Sequence, residues 1–201
     1  MILDRFYPIV ESSSWVDRLT EAGARLIQLR VKDKETELVR SEIRASLALC
    51  AARGAQLIVN DYWRLAIEER ADFIHLGQED LEGADLKAIK AKGIRLGVST
   101  HNHEELERGL STEPDYVALG PIYPTILKKM PWAPQELDRI GEWKQLIGDL
   151  PLVAIGGITL ERAPLCLAAG ADSAAVVTDI VRAADPDART REWIAATRAS
   201  D

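Results

Sequence analysis

The chain has only two cysteines, no surplus of positive charge and no apolar run long enough to cross a bilayer. Cys50 and Cys166 sit in separate helix-like apolar patterns. They lack the spacing of a zinc site or a disulfide framework and read as buried thiols. Lys and Arg number 25 against 32 Asp and Glu, for a net charge of -7. A general nucleic-acid binder would carry a basic surplus or stripe, so no nucleic-acid partner is expected. The start Met1-Ile2-Leu3-Asp4-Arg5 places charge where a signal peptide needs an apolar core, which predicts a cytoplasmic protein without membrane attachment.

What the chain does have is alternation. Strand-like apolar runs span residues 6–10, 25–31, 56–59, 72–76, 94–98, 115–119, 151–155 and 172–177. Several are almost continuously apolar, as expected of strands covered on both faces. Helical periodicity fills the intervals: residues 37–53 set Leu38, Ile43, Leu47 and Cys50 near one face, and Leu86 and Ile89 repeat the pattern. Gly23, Gly54, Gly93 and Gly170 each fall just before a strand, where a helix ends. The alternation predicts an α/β fold, a single compact (β/α)8 TIM barrel forming one domain over residues 1–201. An open doubly wound sheet uses the same right-handed crossover and is the other arrangement.

In a parallel barrel the polar segments that follow the strands gather on one rim, where barrel chemistry resides. Asp61 and Asp80 end consecutive units there, and two carboxylates suffice for magnesium when a substrate phosphate and water complete its shell. Read singly, Asp61 caps a helix starting at Tyr62 and Asp80 belongs to a turn. Gln28, Arg30 and Lys32 alternate and share a face, placing two fixed cations where phosphoryl oxygens could bind. Lys34 reads as part of a solvated charged turn. Gly156-Gly157 follows the seventh apolar run and is expected to open a helix. With Val177-Thr178 after the eighth, it forms a candidate anion site. His101 and His103 read as solvated or locally bonded, and His75 as a satisfied barrel residue. Trp15, Trp63, Trp143 and Trp193 read as packing groups, whereas Trp132 lies in a long segment, residues 123–138, suited to covering a ligand.

Taken in order, Gln28 to Lys32, Asn60-Asp61, His75 to Asp80, Gly97 to His101, Leu119 to Thr125 with Lys128, and Ala154 to Ile158 resemble the thiamine phosphate synthase family over residues 7–181. The resemblance implies a barrel enzyme, a transferase, that joins a hydroxymethylpyrimidine diphosphate to a thiazole phosphate carboxylate, giving thiamine phosphate, pyrophosphate and carbon dioxide. It implies that Gln28, Arg30, Lys32, Asn60 and Lys128 hold the pyrimidine diphosphate, that Ser99 lies at the pyrimidine, and that Asp61 and Asp80 bind Mg2+. Thr125, Gly157, Val177 and Thr178 would hold the thiazole phosphate, beside Gly156. Arg30, Lys32, Ser99 and Lys128 would act in catalysis, and residues 123–138 would exclude water.

Three positions depart from the family pattern. Leu127 stands where a second threonine is common, Glu136 where glycine is frequent, and Asp179 where many relatives carry alanine. Asp179 is expected to face away from the phosphate pocket or to pair with a cation. Two other readings remain beside the synthase. One is a thiazole tautomerase-like isomerase, which typically has a histidine at the position of Pro121. The other is a non-catalytic barrel that binds thiamine precursors. A homo-oligomer is compatible with all three.

Overall fold

Residues alternate in and out of the wall along every strand, and this alternation separates two apolar layers. The computed structural model describes residues 2–125 and 132–198. Its strands are β1 (Phe6–Val10), β2 (Leu26–Leu29), β3 (Gln56–Asn60), β4 (Phe73–Leu76), β5 (Arg95–Thr100), β6 (Tyr116–Leu119), β7 (Leu152–Ile155) and β8 (Ser173–Val176). All pair in parallel and in chain order, and β1 also pairs with β8, so the sheet closes into a barrel. The open-sheet arrangement is thereby excluded.

The helices between the strands are α1 (Ser13–Glu21), α2 (Thr36–Arg53), α3 (Trp63–Glu68), α4 (Gln78–Gly83), α5 (Leu86–Ala91), α6 (His103–Ser111), α7 (Glu136–Ile147) and α8 (Ala163–Ala168), with α9 (Thr178–Val181) and α10 (Pro186–Arg198) after the last strand. Outward strand residues such as Ile27, Val59, Ile74 and Val98 pack against these helices, together with Trp143 and Trp193, which are fully buried. Trp15 and Trp63 pack partly buried against the same layer. Inward residues Tyr7, Ile9, Leu26, Ile58, Phe73, Tyr116, Ala118, Val153 and Ala175 fill the barrel interior as a second cluster. This is the packed interior expected of an eight-stranded barrel.

One expected helix face is rotated. On α2 the buried stripe is Val39, Ile43, Ser46 and Cys50, whereas Leu38 is 46% exposed. Positions 39, 43, 46 and 50 follow the 3.6-residue period, and Leu38 lies about 100° away from Val39. Both cysteines are buried, and burial pushes each thiol up to about 11. Gly54 closes α2 in the left-handed region, with its N–H on Cys50 O. Glu136 also has a positive φ, 61°, which gives a backbone reason for glycine at that position.

Candidate active site

The alternation that packs the barrel also composes the floor of its mouth. At the carboxyl ends of β2 to β5 the inward positions are Gln28, Asn60, His75 and Ser99; on β6, on β7 and just after β8 they are Ala118, Ile155 and Val177. One half of the floor is therefore polar and the other apolar. Gln28, Asn60 and His75 are buried, while Ser99 is half-buried.

His75 is held by two hydroxyls. Its Nδ1 lies 2.7 Å from Tyr116 Oη and its Nε2 lies 2.8 Å from Ser99 Oγ. Burial pushes its pKa down to about 4; the Asp61 charge opposes that shift and the Arg30 charge adds to it. The imidazole is neutral at physiological pH, and both rim charges act on the same end of the barrel. The expectation of a satisfied barrel histidine holds. His101 and His103 bond to Glu105 and Glu142, each at 2.6 Å.

Asp61 does not cap α3. The N-cap is Tyr62, with no side-chain cap bond, and Asp61 itself takes a φ of 63°. This left-handed residue turns the chain at the rim, and its carboxylate pairs with Lys32 Nζ. Asp80 lies in the first turn of α4, its Oδ2 3.0 Å from where a Cβ on Gly77 would stand. Burial holds its carboxyl above the usual range, and the Asp61 charge and a hydrogen bond with Asp61 add to the effect, whereas Lys32 opposes it. The two carboxylates therefore meet, with Lys32 beside them. Arg30 follows β2, its N–H on Val10 O and its side chain exposed at the rim.

A carboxyl whose proton affinity is raised by a second carboxylate marks a site that gains from a bound cation. Among the described residues no group of three or more His, Cys, Asp or Glu side chains could hold a metal. The donor set therefore fits an ion such as magnesium, which takes one or two carboxylates and completes its shell with water and substrate phosphate, better than one needing a closed protein cage.

The glycine pair behaves differently from expectation. Gly156-Gly157 does not open a helix, because α8 starts only at Ala163. A Cβ on Gly156 would stand 2.6 Å from Pro121 Cα, and one on Gly157 would stand 2.4 Å from Pro124 O. The loop after β6 thus lies directly on these glycines. Ile122 and Tyr123 N–H donate to Ile155 O and Gly156 O, and Arg162 both donates to Gly157 O and stacks on Tyr123. Packing alone requires both glycines, so their presence says less about a ligand than the sequence suggested. Val177 caps the short helix α9, and Thr178 begins it. Asp179 sits in a cluster of donors that ties α10 and the β7 loop together: Arg189 Nε and Nη2 at 2.9 and 3.0 Å, Trp193 Nε1 at 2.7 Å and Leu160 N at 3.2 Å. The expected cation partner is Arg189.

Thr125 closes the described part of the β6 loop, and Lys128 and Leu127 lie outside the described residues. Beyond that gap, Trp132 stacks on His101 with centroids 5.7 Å apart. Sequence reasoning missed Tyr7 and Tyr116. Both are interior tyrosines whose inward direction follows from the two-residue strand period, but no motif marks them.

The geometry has relatives. The model of the family described as thiamine monophosphate synthase matches residues 6–180. This chain belongs to that family. Thiamine-phosphate synthase from Rhizobium etli is 62% identical over 98% of this chain and 97% of the relative. The enzyme of the same name from Salmonella paratyphi B is 52% identical over 97% and 92%. Among solved structures, thiamine phosphate pyrophosphorylase from Pyrococcus furiosus superposes with a TM-score of 0.86 at 25% identity, covering 98% of this chain and 96% of that one. Family membership extends over all eight strands and both carboxylate-bearing loops.

Proposed function

We propose that this chain is a thiamine phosphate synthase, a transferase of thiamine biosynthesis that joins a hydroxymethylpyrimidine diphosphate to a thiazole phosphate carboxylate. The observation that carries the reading is the meeting of Asp61 and Asp80 beside Lys32 on a rim that also bears Arg30. Family membership over residues 6–180 supports the same activity.

In this reading Asp61 and Asp80 hold magnesium, which when bound neutralises charge on the departing diphosphate. Arg30 grips phosphoryl oxygens with its planar fork, and Lys32 adds a point charge. Lys128 is assigned to the same group by its place in the family pattern. Gln28, Asn60 and Ser99 meet the pyrimidine on the polar half of the floor. The C–O bond to the diphosphate breaks with its electron pair going to the leaving group, and the thiazole nitrogen donates its pair to the methylene carbon. Carbon dioxide leaves from the thiazole carboxylate, its bonding pair stays with the ring, and a proton from solvent takes its place. No protein nucleophile is needed, so charge stabilisation and alignment supply the catalysis.

The apolar half of the floor suits the thiazole ring. Its phosphate falls to Thr125, to the Gly156 and Gly157 backbone, and to Val177 and Thr178 at the start of α9; barrels commonly bind phosphate after strands seven and eight with a short extra helix. One barrel domain over residues 1–201 carries the whole activity. No helix among the described residues is long and apolar enough to cross a membrane, and the charged phosphate substrates favour a cytoplasmic location.

The test is direct. Purified protein incubated with both substrates should yield pyrophosphate and thiamine phosphate with magnesium and neither with excess chelator. Binding of both substrates without product would instead identify a precursor-binding barrel.

A further inference from the structure

Five inward side chains form one hydrogen-bonded series across the barrel. Gln28 Nε2 donates to Tyr7 Oη at 2.8 Å, Tyr7 Oη lies 3.0 Å from Tyr116 Oη, Tyr116 Oη lies 2.7 Å from His75 Nδ1, and His75 Nε2 lies 2.8 Å from Ser99 Oγ. The first four residues are buried, and only Ser99 is partly open to the cavity. Gly97 makes the crossing possible. It lies between His75 and Tyr116 in the strand register, and the Tyr116 ring occupies the space of its absent Cβ.

The direction of every proton in this series follows from one end. An amide nitrogen can only donate, so Tyr7 Oη accepts from Gln28. Among the described residues Tyr7 has one remaining side-chain partner, Tyr116, and its proton goes there. Tyr116 then gives its own proton to His75 Nδ1. An imidazole that accepts at Nδ1 carries its hydrogen on Nε2, which donates to Ser99 Oγ. With the Gln28 amide oriented so that Nε2 faces Tyr7, the reverse order would leave the Tyr7 proton buried without an acceptor, a costly arrangement. The Ser99 proton is therefore the one left for the cavity, since His75 is the only side-chain partner of Ser99 Oγ among the described residues.

We propose that this ordered series presets the Ser99 hydroxyl as a hydrogen-bond donor to the bound heterocycle, with Tyr116 as the positioning residue that relays the polarity through His75. A ring nitrogen with a free lone pair accepts this proton, whereas a ring N–H cannot and would leave the Ser99 proton without that acceptor. The site therefore selects an aminopyrimidine over the corresponding oxo form, whose adjacent ring nitrogen carries hydrogen. The choice of heterocycle rests on the synthase reading; the proton order does not.

Two measurements test the proposal. In the free wild-type protein, the 15N signals of His75 should report the tautomer protonated at Nε2, and protonation at Nδ1 alone would overturn the order. In kinetics, Tyr116→Phe should raise the KM for the pyrimidine diphosphate about tenfold, the loss of one oriented hydrogen bond. Inhibition by inorganic pyrophosphate should be unchanged. Because Tyr116 acts through Ser99, the double variant Ser99→Ala/Tyr116→Phe should be no worse than Ser99→Ala. Multiplying losses, or a matching loss of pyrophosphate affinity, would show that Tyr116 serves packing alone. Tyr7→Phe should have a smaller effect, because the Gln28 amide also reaches Tyr116 and can take over as its donor; a loss equal to that of Tyr116→Phe would count against the relay. If wild-type protein made no thiamine phosphate, the synthase reading would fail while the tautomer measurement still decided the proton order.

Discussion

The ring of Tyr116 lies across Gly97, with two ring carbons 2.1 Å from where a Cβ on that glycine would stand. Tyr116 stacks on His75 at the same level of the barrel, 5.6 Å between centroids and 20° from parallel. Gly97→Ala should therefore destabilise the protein by about 3 kcal/mol, toward the upper end for overpacking in a tight interior. Urea unfolding measures this; a loss below about 1 kcal/mol would mean that the ring has room to move.

Burial and the Asp61 charge both raise the cost of ionising Asp80, so removing the Asp80 charge relieves the site. Without metal, Asp80→Asn should be at least as stable as the wild type. It should also lose the rise in melting temperature that magnesium gives the wild type, and turnover should fall at least tenfold. A magnesium response retained in full would place the ion elsewhere.

Acid should act on this site and on the fold in separate ways. Because the Asp80 carboxyl is held above its usual range, lowering the pH protonates it early, and the proton competes with the metal. Magnesium affinity should fall as the pH drops toward that raised pKa. His75 is neutral in the folded state down to about pH 4 but takes a proton near 6.5 when unfolded. The unfolded state thus binds the extra proton between those values, and stability falls with acidification across that window, by about 3 kcal/mol in total. Denaturant titrations at pH 7 and pH 4.5 check the sign; a curve that rose toward acid would contradict it.

Asp179 joins α9 to α10 by accepting two parallel bonds from Arg189 and one from Trp193. Asp179→Ala would strand a partly buried guanidinium and an indole N–H, at a cost of about 2 kcal/mol. Because α9 begins at Thr178, the same change should also weaken binding of the thiazole phosphate. Unchanged stability would show that solvent replaces the carboxylate.

The sequence revealed the strands well, because a buried parallel strand is a short apolar run bounded by polar residues. Phe6–Val10 was legible to the residue. Barrel closure was not, since it depends on β1 meeting β8 and both candidate folds share every local signal. The acidic pair was legible as two rim residues. Their mutual contact depends on the left-handed turn at Asp61, which residue type alone does not specify. The interior tyrosines were hidden for a similar reason: their partners lie on strands far away in the chain. The helix expected at the glycine pair starts later, at Ala163, because close packing and a helix start both demand small residues.

The most direct measurement is a crystal structure with inorganic pyrophosphate and magnesium bound. The account predicts a metal ion between Asp61 and Asp80, with the diphosphate bridging it to Arg30 and Lys32. Pyrophosphate bound away from that rim, or a metal touching neither carboxylate, would contradict it.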